Sequence, residues 1–212
     1  EDAERRFIEI MVRHRPVMMG LSQEVAEGEK KPNFIFEAIR ERFRGRKYLD
    51  GQPTEETRKG WEEVLRNRQP GQRLRSHAVF DSLGKLGSAL RDVKEADLGL
   101  CVNVNAIHED TDRAAREAGI VRHTIEHSLG FHGRVERLPS AEVLELSTMC
   151  GHGMVSFNLV RKMISLVGTG QISTDRASEL LAKPCVCGVF NPARAARILT
   201  EVQQGAYYAN AR

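Results

Sequence analysis

Three of the four cysteines in this 212-residue chain sit among glycines in two short stretches, Cys150-Gly151-His152-Gly153 and Pro184-Cys185-Val186-Cys187-Gly188. Thiolates are ligands for zinc and for iron–sulfur clusters. A ligand loop also needs small neighbours, so that a metal can approach and the backbone can adopt angles that side chains resist. The Cys-x-Cys pair departs from the Cys-x2-Cys spacing common in zinc sites. It points to an iron–sulfur cluster, with 4Fe–4S favoured, held by Cys150, Cys185 and Cys187 with Gly151 and Gly188 beside it. The alternative adds His152 to the three thiolates in a closed tetrahedral zinc site.

Three protein thiolates would leave one iron of a four-iron cluster without a cysteine. That position could bind a small anionic substrate as a Lewis acid, as an oxidoreductase or lyase would use it, or the cluster could serve electron transfer to a redox partner protein. Cys101 is the only other cysteine, and its place between Leu100 and Val102 predicts a small buried residue in a strand rather than a ligand. Under the zinc reading the module is structural, and its basic stretches contact an acidic partner.

Two stretches are basic: Arg40, Arg42, Arg44, Arg46 and Lys47, then Arg66, Arg68, Arg73 and Arg75. Such runs are ordinarily solvated faces. The whole chain carries 32 Lys and Arg against 29 acids, a net +3 that is too slight to argue for nucleic acid. Sparse, bunched cysteines suit a reducing compartment, so a cytoplasmic protein is expected. No apolar run approaches the ~20 residues that cross a bilayer, and no membrane partner is expected.

Helices must position these residues. Phe7, Ile10 and Met11 form a stripe ending before Pro16, and Asn33 caps a second helix to Gly45. Thr54 opens a third helix, and His77 to Glu95 reads as a fourth, buried along Leu83, Leu86, Ala89, Leu90 and Val93. Residues 98–105 alternate at period two and 120–126 are rich in β-branched residues. With the helix between them they predict a parallel βαβ crossover. Short helices follow near Ser140, from Met154 and from Thr174, and the last starts at Asn191-Pro192, an N-cap with Pro in the first turn.

A loop beyond the second predicted strand, His127-Ser128-Leu129-Gly130-Phe131-His132-Gly133, would lie at the carboxyl edge of that sheet, where open α/β sheets place ligands. His127 and His132 are therefore the candidate catalytic acid–base groups, expected to face the cysteines across a cleft. His123-Thr124-Ile125-Glu126-His127 also matches the H-x-x-E-H metalloprotease pattern. On a strand its imidazoles would stand about 13 Å apart, too far to share one ion. The expected architecture is α+β and mainly helical: a helical region over 1–70, a helix with a small parallel βαβ sheet over 71–133, and a C-terminal helical metal-binding module over 134–212.

Overall fold

The computed structural model describes residues 2–23, 48–49, 66, 74–185 and 188–210. They fall into two units, Glu1–His127 and Ser128–Arg212. The helices predicted from Asn33 and Thr54, the expected boundary at 70–71 and the first basic stretch lie outside the described residues, as does Cys187.

Unit 1 opens with helix α1 (Asp2–Arg13), whose Ile8, Ile10 and Met11 are buried. Arg15 takes a positive φ of 50°, and Pro16 then bars a return to helix. The chain enters strand β1 (Met18–Gln23), which lies between β2 (Tyr48–Leu49) and β3 (Leu74–Val79) in the order β2-β1-β3. Both pairings are antiparallel, with Met19 opposite Leu49 on one side and opposite Ala78 on the other.

Helix α2 (Leu83–Ala96) follows, its first turn held by the Ser82 side chain accepting from Lys85 N–H. Asp92 joins α2 to the end of α1, with Oδ2 2.9 Å from His14 Nε2 and 3.2 Å from Arg13 Nη1. Ile8, Ile10, Met11, Met19 and Ala89 make one core. Leu90 with Ala114 and Ala118 makes another, against helix α3 (His108–Glu117), and Val104 and Ile120 pack on it.

Among the described residues the expected parallel βαβ sheet is not present. Strand pairing belongs instead to the antiparallel ladder at 18–23, 48–49 and 74–79, and residues 98–105 and 120–126 form no strand. Their β-branched content biases the local backbone, but a strand is stabilised only when alternate residues are buried together. Here Val104 and Ile120 pack on the helical core while Leu100, Val102, Val121 and Ile125 stay exposed, Val121 at 90 %. The helix expected from His77 likewise starts later, because Leu74–Val79 pairs with β1 and the N-cap is Ser82.

Unit 2 is helical among its described residues: α4 (Ala141–Thr148), α5 (Phe157–Gly168), α6 (Thr174–Ala182), α7 (Pro192–Gln203) and the short α8 (Ala206–Asn210). Ser156, Ser173 and Asn191 cap α5, α6 and α7, each side chain accepting an N–H three residues on. The core holds Leu146, Val155, Val160, Ala177, Leu181, Phe190, Ala195 and Leu199, none more than 1 % exposed. Cys150 and Cys185 lie in the same cluster.

Candidate metal centre

Cys150 stands two residues beyond α4, in the turn that carries the chain to α5. Gly151 N–H closes α4 on Thr148 O at 2.9 Å, and Ser147 Oγ donates to Val155 O, so both ends of the 150–155 loop are fixed to one helix. Within the loop Gly151 and Gly153 both take positive φ, 73° and 66°. The backbone N–H groups of His152 and Met154, in this loop, favour the thiolate form of Cys150.

The second loop follows α6. Cys185 N–H closes on Ala182 O at 2.9 Å, and Gly188, at φ 68°, returns its N–H to Cys185 O at 3.1 Å. Phe190 N–H then donates to Cys185 Sγ at 3.3 Å, just ahead of the α7 N-cap. The two loops meet: the Cys150 and Cys185 side chains are within hydrogen-bonding reach. Burial pushes the Cys150 thiol pKa up, the backbone donors pull it partly back, and the neighbouring Cys185 raises it again.

The structure thus brings together Cys150 and Cys185 with Gly151 and Gly188 in the flanking turns. His152 contributes its backbone N–H, and its residue is exposed. No group of three or more His, Cys, Asp or Glu side chains is gathered for a metal among the described residues, so the expected metal-binding module reduces there to two thiols. The positional reason for His127 and His132 is lost with the parallel sheet. His127 ends unit 1 and packs edge-on against His108, ring centroids 4.7 Å apart, while His132 is exposed between Gly130 and Gly133 in unit 2. Cys101 is exposed in unit 1 rather than buried in a strand.

Sequence reasoning missed the groups that hold the two cysteine loops in register. Glu145, on α4 ahead of Cys150, takes Arg194 Nη2 on Oε1 at 2.5 Å, and Arg194 lies in the first turn of α7 beyond Cys185. Its other oxygen accepts from Tyr207 OH at 2.7 Å, tying in α8. Comparison with protein-family models, curated proteins and solved structures returns no match to this chain. No helix among the described residues is long and apolar enough to cross a membrane.

Proposed function

We propose that unit 2 is a thiolate metal module in which Cys150, Cys185 and the adjacent Cys187 hold an iron–sulfur cluster. The observation that carries this reading is the convergence of two cysteine loops from distant segments, with Phe190 N–H donating to the Cys185 sulfur and the backbone N–H groups of His152 and Met154 favouring the Cys150 thiolate. Cysteine used only as a small core residue does not need such donors. Cluster thiolates gain from them, because N–H···S bonds offset negative charge that burial would otherwise penalise. The donor set fits the group: two adjacent thiols, glycines at the turns, and open space above Gly151 and Gly153, where an added Cβ would meet nothing within 4 Å.

When bound, such a cluster supplies one-electron chemistry or, at an iron without a cysteine, a Lewis-acid position for a small anionic substrate. The protein supplies the rest: α4 and α7 hold the loops, Glu145 and Arg194 set their spacing, and the apolar core beneath excludes water. Anaerobic purification followed by an optical spectrum and iron, sulfide and zinc analysis tests the reading. Brown protein with stoichiometric iron and sulfide that is lost in Cys150→Ser and Cys185→Ser supports it. Colourless protein carrying one zinc replaces it with a structural site, and protein that binds neither metal under reducing conditions overturns it.

A further inference from the structure

A second thiol site lies in unit 1, built from the two irregular segments that flank α3. Cys101 Sγ is 4.0 Å from His123 Nε2, and His123 Nδ1 is 2.8 Å from Thr124 Oγ1. With the Thr124 hydroxyl accepting from Nδ1–H, the Nε2 lone pair faces the thiol, the tautomer a proton acceptor requires. The segment carrying His123 is anchored to α3 from both sides of Val121. Ile120 N–H bonds Ala115 O at 2.8 Å, and Arg122 Nη2 pairs with Asp112 Oδ1 at 2.6 Å. Both Cys101 and His123 are exposed, whereas Cys150 and Cys185 are buried.

We propose that Cys101 and His123 form a thiol–disulfide exchange site for small disulfides from solution. The thiol proton passes to His123 Nε2, and the thiolate attacks one sulfur of the disulfide RSSR. As the Cys101 S–S bond forms, the S–S bond of RSSR breaks, and the proton on His123 passes to the departing thiolate or, where that thiolate is a weak base, to solvent. The balance is one protein thiol and one disulfide giving one mixed disulfide and one free RSH. Exchange at sulfur develops no oxyanion, so it asks only for an accessible thiol and a proton acceptor, and both are here. The site is independent of the metal centre and stands whether or not unit 2 binds iron.

The test uses the full chain and an aromatic disulfide whose leaving thiolate is coloured, with the modified cysteine located by peptide mass spectrometry. Cys101 reacts in the wild type about threefold faster at pH 7 than in His123→Gln. The imidazole takes the thiol proton as the sulfur attacks, and His123→Gln removes that acceptor. The two rates converge in strong base, where hydroxide removes the thiol proton in both proteins. Thr124→Val slows the wild-type reaction at pH 7, and Cys101→Ser abolishes it. Equal rates for wild type and His123→Gln from pH 6 to 9 overturn the site. So does a fast phase that survives in Cys101→Ser or maps to another cysteine.

Discussion

At the residue scale the proposed metal centre rests, among the described residues, on the Cys150 and Cys185 sulfurs and the loops that carry them. Cys150→Ser and Cys185→Ser are expected to lose bound metal, while His152→Ala and His132→Ala keep it, because neither imidazole is gathered with the thiols. Metal analysis of the four proteins checks this, and loss in His152→Ala would restore the zinc reading. Burial raises the Cys150 thiol pKa, so protons compete with metal throughout the neutral range. Apparent zinc affinity of the stripped protein should therefore rise from pH 6 to pH 8, and a flat profile would contradict ligation by these thiols. Gly153→Ala meets no steric obstacle, yet its φ of 66° should cost about 1–2 kcal/mol in denaturant unfolding. The cysteine pair was legible in the sequence because its signals are local: small neighbours and two helix starts, expected from Met154 and at Asn191, of which the first falls three residues later with Ser156 as its cap. Glu145 was not, since its partners lie 49 and 62 residues away and no short-range pattern marks them.

At the scale of elements two caps were legible and the strands were not. Ser173 and Asn191 each meet their N–H within three residues, so the sequence neighbourhood contains the whole interaction, whereas Ser82 lay inside the helix expected from His77. β3 pairs Leu74 to Val79 with residues 18–23 far back in the chain, and Arg75, Ser76 and His77 make it too polar to announce itself. The reverse error at 98–105 and 120–126 has the same origin, because alternation records a local bias and not the partner that would bury one face. The clamp joining α4, α7 and α8 gives a prediction at this scale. The Tyr207 phenol pKa is raised, first by burial and then by its hydrogen bond to Glu145. An acid whose folded pKa exceeds its unfolded value near 10 contributes stability below that pH and loses it as the pH climbs. Unfolding midpoints measured from pH 8 to 11.5 should fall more steeply for the wild type than for Tyr207→Phe, and parallel curves would show that the clamp carries no such linkage.

At the scale of the whole molecule the important fact is that unit 2 owns its core. Every buried residue of that cluster lies between Val143 and Leu199, and residues beside the two cysteine loops are among the most deeply buried, with Val155 and Phe190 both at 0 % exposure. Val155 and Phe190 each stand five positions after a cysteine, Cys150 and Cys185, so each thiol loop is pinned to the core at its far end by an apolar side chain. Ligand geometry and packing are thereby the same problem. Phe190→Ala, which removes the second pin, should destabilise the unit by about 3–5 kcal/mol and lower metal content with it. Since core, caps and cysteines all lie within Ser128–Arg212, a fragment of those residues should fold by itself, with helical circular dichroism, a cooperative melt and the metal content of the full chain. A fragment that is unfolded even with metal supplied would mean that unit 2 draws its stability from elsewhere in the chain. A folded fragment that binds no metal would leave the core correct and remove the centre built on it.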